Sequence, residues 1–330
     1  MRAIVVIVGI AASAVFGYLA VRGVKFGATR RALGASNAWW LVPSLAALAA
    51  CVAARVVRWQ LLFQRERRPR YVPMAKATLV GLFFNSILPA RAGEAARVIA
   101  LKRYAGTPLA ETAATVVVER VADVTSLLLL LFVLTPWLPH VSWLAVAVAV
   151  AAVCLAGIIV LAFIVWRLRS RPLPRMRLLA RVPGLTEERA QRMAENALHG
   201  MATLANPRQA LAVLGWTYGS WLLLGLSFWF LMAGLHLHLS FLAALLVVIA
   251  TGLSFIVPAA PAAVGVYEAA GLTALSAYGV DRSQAFAYVL VVHLVNFVPY
   301  VVLGLLLLAG AARGRRAARP TAIARIRSGP

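Results

Sequence analysis

The sequence predicts an all-α integral membrane protein with about six full spans and two re-entrant hairpins made of broken helices. Of its 330 residues, 62% are hydrophobic and only 13% are charged, and the mean hydropathy is +0.86. A soluble domain of this composition would expose far too much apolar surface, whereas a multi-span helical membrane protein would bury it in lipid. Short stretches of alternating polarity are absent from the sequence, which argues against an outer-membrane barrel.

Six apolar runs are long enough to be full spans, because a helical span needs about 20 apolar residues. They cover residues 3–21, 39–63, 109–134, 141–166, 209–235 and 284–308. Two further apolar regions, 73–103 and 241–278, are interrupted near their middle by proline and glycine. These two regions predict the hairpins, each of which enters and leaves the membrane on one side.

The basic residues orient the chain. The formal net charge is +23, from 33 Lys and Arg against 10 Asp and Glu. In a soluble protein this excess would suggest nucleic acid, but here the basic residues lie mostly at the ends of apolar runs. Membrane topology and anionic lipid explain them better, so we expect membrane lipids as partners and no nucleic acid.

The positive-inside rule predicts a multi-pass protein of the plasma (inner) membrane with a cytoplasmic C-terminus. The insert 167–207 and the tail 313–330 are the richest in arginine, whereas the loops 135–140 and 236–240 contain no Lys or Arg. We expect one transmembrane domain over residues 1–312 and a disordered tail after it. The insert is either a surface for anionic lipid or an ordinary cytoplasmic loop. The basic loop 22–31 falls outside, against the rule.

The first break, at residues 85–97, carries an unusual concentration of polar groups. Its candidate site residues are Asn85, Pro89, Arg91, Gly93, Glu94 and Arg97. Proline removes a backbone donor and glycine relaxes the helix, and the unpaired groups are tolerated at membrane depth only inside protein or around a wet cavity. The positive N-terminus of the following helix, with Arg91 beside it, favours an anionic phosphate. The alternative is a cytoplasmic loop between two short helices.

The second break repeats the pattern of the first. Pro261 is followed four residues later by Gly265 and then by Glu268, as Pro89 is followed by Gly93 and Glu94. Each break lies between two half-length apolar runs, and the predicted orientations are opposite. We therefore predict an inverted repeat, with one unit near residues 38–134 and the other near 209–308.

The third candidate group lies inside the span 109–134. Glu119 and Asp123 are four residues apart and share one face of the helix, while Arg120 points elsewhere. The two acids either pair with Arg55, Arg91 or Arg97 to hold the bundle together, or belong to a functional charge network. Glu94 and Arg97, three apart on one helix, form either a local pair, which we favour, or a direct contact with substrate.

Two further sets of polar residues need an explanation. Arg55 and Arg58 are expected to extend along the membrane towards the basic cluster 65–70. Glu268 has no basic residue near it in the sequence, so it requires a partner, a proton or a cationic group. His293 and Asn296 share a face of the last span and serve either core hydrogen bonding or ligand binding.

The sequence predicts neither a metal site nor a cofactor. The two cysteines, Cys51 and Cys154, lie in apolar runs and have no spacing typical of a disulfide or metal framework. His236 and His238 are the only close pair of histidines, and we interpret them as loop residues. A nucleotide-binding P-loop motif is also absent from the sequence.

Together these motifs resemble the flippase-like transmembrane domain of lysylphosphatidylglycerol synthases, which also exists as stand-alone membrane proteins. The resemblance is carried by Asn85-x-x-Leu-Pro-x-Arg-x-Gly-Glu-x-x-Arg97, then Glu119-Arg-x-x-Asp123, then Pro261-x-x-x-Gly265-x-x-Glu268. It covers nearly the whole chain and implies movement of lipids, including aminoacylated phosphatidylglycerol, between leaflets. The soluble synthase domain is missing, so the resemblance implies a transporter and no lipid aminoacylation. Ala262 and Ala263 stand where the family commonly has glycine.

The leading hypothesis from the sequence is therefore a non-enzymatic lipid transporter, with anionic or aminoacylated lipids as substrates and no catalytic residue. Arg91 and Arg97 are expected to hold the head-group phosphate, and Glu268, with Glu94 or Asp123, to accept a cationic head group or a proton. One alternative is a membrane glycosyltransferase that acts on a lipid-linked sugar, although the predicted outer loops are short and poor in acids. Another is an accessory subunit of a lipid or glycolipid pathway. The sequence leaves a homo-oligomer open.

Overall fold

The computed structural model describes residues 2–88, 91–169, 206–255 and 260–327, and all the regular elements in these ranges are helical, as predicted. The α-helices are α1 Arg2–Val21, α2 Phe26–Gly34, α3 Leu41–Leu61, α4 Tyr71–Ile87, α5 Ala92–Ala105, α6 Leu109–Leu134, α7 Ser142–Arg169, α8 Pro207–Gly234, α9 Phe241–Ser254, α10 Val266–Ser276 and α11 Arg282–Arg327. Short 3₁₀ turns include Ala38–Trp40, before α3, and Pro261–Ala263, before α10.

Several of these helices can cross a membrane. Among the described residues, Ala38–Leu61, Pro207–Gly234 and Arg282–Gly310 are long and apolar enough to do so. Gly9–Val21 and Phe26–Gly34 form a fourth candidate if this pair, bent by 79°, is one span. The fold is therefore that of a helical membrane protein, and the division into six spans and two hairpins remains a prediction at this level.

The structure bears differently on the predictions for the two polar segments, the insert 167–207 and the tail 313–330. Most of the predicted insert, residues 170–205, lies outside the described residues, so its expected role remains a prediction. The segment 313–330, expected to be disordered, is instead helical as far as Arg327 because α11 continues through it. Continuing the helix pairs the backbone groups internally, and basic residues near a helix C-terminus interact favourably with the helix dipole.

The long helix α6 shows that the polar groups of this fold point inward. Val117, Val121 and Val133 on its outer face are each 49–61% exposed. Glu119 and Asp123, on the opposite face, are only 2% and 8% exposed. An apolar outer face around a charged interior is the arrangement expected of a protein whose solvent is lipid.

The core is built where α3 packs along α8 and where α9 is enclosed by the other helices. The hydroxyls of Ser44 and Ser227 lie 2.9 Å apart across the α3–α8 contact. Residues 243–249 of α9 are all at most 3% exposed. A helix that is hydrophobic on every side requires this central position.

The loop between α1 and α3 packs against the ends of α8 and α11. The amide of Asn37 donates to the carbonyl of Gly234 at 2.8 Å, and the amide of Lys25 donates to Ser283 Oγ at 3.1 Å. The basic loop 22–31 therefore lies at the same end of the molecule as the uncharged loop 236–240. This relative placement agrees with the predicted alternation of spans.

Candidate functional site

The first hairpin is formed by α4 and α5, which pack in close backbone contact. A Cβ added to Gly81 would lie 2.8 Å from Cβ of Arg97, and one added to Gly93 would overlap the carbonyl oxygen of Gly81. The same Cβ on Gly93 would lie 2.5 Å from the amide nitrogen and Oδ1 of Asn85. Asn85 Oδ1 is buried and has no hydrogen-bond partner among the described residues. Gly93 is thus required by the close approach of the two helices.

The helices that follow the two breaks share two features at their start, although ψ is 35° at Arg91 and −56° at Gly265. The residue before each first turn has a positive φ, which is 54° at Arg91 before α5 and 88° at Gly265 before α10. Glu94 and Glu268 each occupy the third position of their helix. The structure therefore matches Arg91 with Gly265 and Glu94 with Glu268, whereas the sequence pattern had matched Gly93 with Gly265.

The two breaks lie next to each other. The guanidinium of Arg91 lies over the ring of Phe255, just after α9, at 5.6 Å from its centroid. The turn Pro261–Ala263 also contacts α4. Pro89 lies outside the described residues, so its predicted role is untested. Arg91 and Phe255 are both exposed, so they border open space.

Arg58 is the centre of the buried charge network. It is completely buried on α3 and pairs with Glu119, at 2.8 Å, and with Asp123, both on α6. The expectation that Arg58 extends towards the basic cluster 65–70 is therefore wrong. Two carboxylates within reach give the guanidinium a much better environment than a path along the helix to the interface, because a buried charge requires paired, hydrogen-bonded partners.

Two further arginines complete this network. Arg97 on α5 pairs with Glu119 and, at 3.8 Å, with Glu94, which confirms the predicted local pair. Its guanidinium also lies 3.7 Å from the ring centroid of Trp59. Arg120 contacts Glu119 at 2.8 Å and Glu94 at 3.6 Å. Arg120 also contacts Asp123 at 3.2 Å. It is therefore part of the network, although its position one residue after Glu119 predicted that it would point away from the two acids.

The network is neutral, and two arginines beside it are not neutralised. Its members are the cations Arg58, Arg97 and Arg120 and the anions Glu94, Glu119 and Asp123. Arg55 lies 4.9 Å from the ring centroid of Trp221, as Arg91 lies over Phe255. Among the described residues, neither Arg55 nor Arg91 forms an ion pair. Two positive charges thus remain available to an anionic ligand.

Glu268 has the partner that its neighbourhood in the sequence does not show. Its Oε2 accepts from the amide of Gly265 at 2.6 Å, and its Oε1 is hydrogen-bonded to Nδ1 of His293 on α11. The ring of Tyr267 lies 4.6 Å from that imidazole. Core hydrogen bonding, one of the two alternatives for His293, is confirmed, and the carboxylate is occupied within the protein.

Helix α1 packs against the second break. Ser13 Oγ accepts from the amide of Ala260 at 2.8 Å. There is no room for a Cβ at Gly265, because that atom would overlap the carbonyl oxygen of Ser13 and lie 2.7 Å from the amide nitrogen of Gly17. The positive φ of Gly265 gives a second reason for glycine at this position.

The structure thus gathers the predicted residues into two groups. Glu94, Arg97, Glu119, Arg120 and Asp123 form one, and Gly265 and Glu268 form the other, beside the turn that contains Pro261. The sequence interpretation missed Trp59, directed Arg58 to the basic cluster 65–70, and gave Arg55 either that role or a pairing role. The signal that could have found them is the run Arg55-Val-Val-Arg-Trp59, which places two arginines inside a predicted span.

Comparison with known proteins decides the family. The model of the lysylphosphatidylglycerol synthase TM region matches residues 6–304. The chain belongs to this family. The match includes both breaks and the charge network, so the resemblance noted from the motifs is confirmed. The chain is also 25% identical over 224 residues to the UPF0104 membrane protein MJ1078 of Methanocaldococcus jannaschii, an alignment that covers 68% of this chain and 92% of the relative.

Proposed function

We propose that this protein moves an anionic phospholipid between the two leaflets of the plasma membrane. The observation that carries the proposal is that Arg55 and Arg91, each packed on an aromatic ring, form no ion pair among the described residues, whereas the buried charge network is neutral. Arginine suits phosphate because its planar guanidinium donates in a bidentate geometry. Membership of a family named for a lipid-modifying synthase agrees with a lipid substrate.

The contacts between helices support an inverted repeat of α3–α6 and α8–α11. Within each set, the first helix packs on the second, the second on the third, the third on the fourth and the first on the fourth. Between the sets, α3 pairs with its equivalent α8, and the contact of α4 with α11 has its equivalent in that of α9 with α6. The contact of α6 with α8 departs from this symmetry. Pairing of this kind fits a pseudo-two-fold axis between α3 and α8.

In the proposed topology the chain has six spans, and the hairpins α4–α5 and α9–α10 enter from opposite sides. The C-terminus and the insert 167–207 are cytoplasmic, and the α4–α5 hairpin opens to the cytoplasm. A solute held between the tips of the hairpins would then be near the midplane, where many transporters bind their substrates.

The residues have separate roles in this proposal. Arg91 and Arg55 bind the phosphate, and the rings of Phe255 and Trp221 hold the two guanidinium groups in place. The neutral network of Arg58, its neighbours and the α6 acids keeps the hairpin α4–α5 fixed to α6. The hydrogen bond between Glu268 and His293 fixes α10 to α11, so opening of the second hairpin requires this contact to rearrange. The energy comes from an ion gradient or from the lipid gradient itself.

Reconstitution into liposomes with a panel of labelled lipids tests the function. The panel contains phosphatidylglycerol, lysyl-phosphatidylglycerol, phosphatidylcholine and a lipid-linked sugar phosphate. We expect faster transbilayer movement of phosphatidylglycerol, the anionic phospholipid of the panel, than of zwitterionic phosphatidylcholine. No acceleration for any lipid would contradict transport and favour the accessory role. Release of sugar from the lipid-linked donor would favour the glycosyltransferase.

A further inference from the structure

A groove outside the proposed transport site lies between the outer ends of α4, α5 and α11. It has a volume of about 320 Å³ and is lined by Lys76, Tyr104, Leu306, Leu307 and Gly310. Gly310 lies 28 residues beyond the start of α11 at Arg282, so the groove is at the opposite end of the molecule from the loops 22–31 and 236–240. In the proposed topology this is the cytoplasmic end.

Among the residues that the structure describes, the groove combines one cation with an apolar wall. Lys76 is exposed and forms no ion pair with any residue that the structure describes. Tyr104, on the neighbouring helix, is 36% exposed, and its side chain ends in a hydroxyl. Leu306 is 62% exposed and continues the apolar lipid-facing surface of α11. An ammonium and a hydroxyl above a wall of leucine match the phosphate and the upper acyl chain of a phospholipid.

We propose that the groove is a second, resident site for an anionic phospholipid of the cytoplasmic leaflet. Lys76 and the Tyr104 hydroxyl bind the phosphate, and the acyl chain lies against Leu306 and Leu307. The backbone of Gly310 leaves room for the chain. The charge selects the occupant, because a zwitterionic lipid brings its own cation to Lys76 and gains less from it. This site acts independently of Arg55 and Arg91.

Two substitutions test the site by different means. Lys76→Gln removes the charge, and Lys102→Gln is its control, because Lys102 is an exposed lysine of α5 that does not line the groove. Gly310→Leu fills the groove without touching a charge. A Cβ at Gly310 meets no atom within 4 Å, and the same is true of Gly215 on α8, so Gly215→Leu is a matched control.

The measurement is native mass spectrometry of the full chain in detergent, titrated with phosphatidylglycerol or phosphatidylcholine. In an Arg55→Gln/Arg91→Gln background, which removes both proposed ligands of the transport site, we expect one phosphatidylglycerol to remain bound. Lys76→Gln should weaken it roughly fivefold, Gly310→Leu should abolish it, and both controls should leave it unchanged. The proposal is overturned if Lys102→Gln weakens binding as much as Lys76→Gln, or if Gly310→Leu has no effect. Displacement by an equal concentration of glycerol 3-phosphate would also overturn it, because the acyl chain would then contribute nothing. Absence of lipid transport leaves this result unaffected.

Discussion

The guanidinium of Arg91 lies over the ring of Phe255, and this contact joins the break after α4 to the end of α9. The two residues are 164 positions apart (255 − 91) in the sequence. Arg91 holds its position although its backbone is left-handed, with φ 54° and ψ 35°. An L-residue other than glycine pays about 1–2 kcal/mol for this conformation. Arg91 is thus a strained arginine that forms no ion pair with any residue that the structure describes, and we infer a functional role for it.

Arg91→Gly should therefore separate stability from function. Glycine adopts the left-handed conformation without strain, so we expect the free energy of unfolding to rise by about 1 kcal/mol. Lipid movement should fall at least tenfold, because one of the two phosphate ligands is lost. Unfolding in mixed detergent micelles measures the first quantity and a liposome assay the second. Arg103→Gly, at an exposed position in the last turn of α5, is the control: it should lose stability and retain transport. Retained transport in Arg91→Gly would remove Arg91 from the mechanism.

Glu119→Gln should destabilise the protein strongly. Glu119 is 2% exposed and contacts Arg58, Arg97 and Arg120. Removing one partner of a buried ion pair costs about 3–5 kcal/mol, because the remaining charge is left unpaired. The same micelle unfolding experiment measures this loss. Glu66→Gln, at an exposed position in a 3₁₀ turn, should change stability by less than about 0.5 kcal/mol. Equal effects of the two substitutions would show that the network does not hold α3, α5 and α6 together.

Gly93→Ala should force the first hairpin apart. The added Cβ would overlap the carbonyl oxygen of Gly81, which belongs to the backbone and cannot rotate away. We expect a loss of about 1–3 kcal/mol or more, as for overpacking of a core, together with loss of transport. Gly157→Ala on α7 is the control, since a Cβ there meets no atom within 4 Å. Its helix should gain stability, and a neutral outcome for Gly93→Ala would contradict the close packing of α4 on α5.

Substitutions of Glu268 should be graded. In Glu268→Gln the amide oxygen still accepts from Gly265, so the start of α10 is preserved and only the charge beside His293 is lost. Glu268→Ala also leaves the Gly265 amide without its acceptor, which should cost about 1 kcal/mol more. We expect both variants to slow transport and only the alanine variant to lower the unfolding midpoint clearly. Wild-type transport in both would assign the pair a purely structural role.

The sequence was sufficient to locate most of the helices, although it did not predict α2 or the continuation of α11 to Arg327. The apolar run predicted at 109–134 coincides with α6, and the predicted runs at 209–235 and 284–308 begin within two residues of α8 and α11. Long apolar runs define helices because backbone groups in lipid must pair within their own segment. Proline and glycine interrupt that pairing, and the two breaks could therefore also be located from the sequence.

The partners of Arg58 and Glu268 could not be predicted from the sequence. Arg58 pairs with acids more than 60 positions away, and Glu268 pairs with a histidine 25 positions away on another helix. Pairing of this kind depends on which helix faces pack together, and similar runs of Ala, Val and Leu give many helices the same apparent face. The local pattern identified Arg91 and Glu94. That Arg55 forms no ion pair among the described residues follows only from the structure, because the acids near it are paired with other arginines.

The most direct test of the account compares wild-type protein with the double variant Arg55→Gln/Arg91→Gln in matched liposomes. The measured quantity is the rate at which labelled phosphatidylglycerol becomes accessible to a membrane-impermeant quencher. The account predicts that the wild type accelerates this rate over protein-free liposomes and that the folded double variant does not. Equal rates for the wild type and the double variant, both above that of protein-free liposomes, would contradict it.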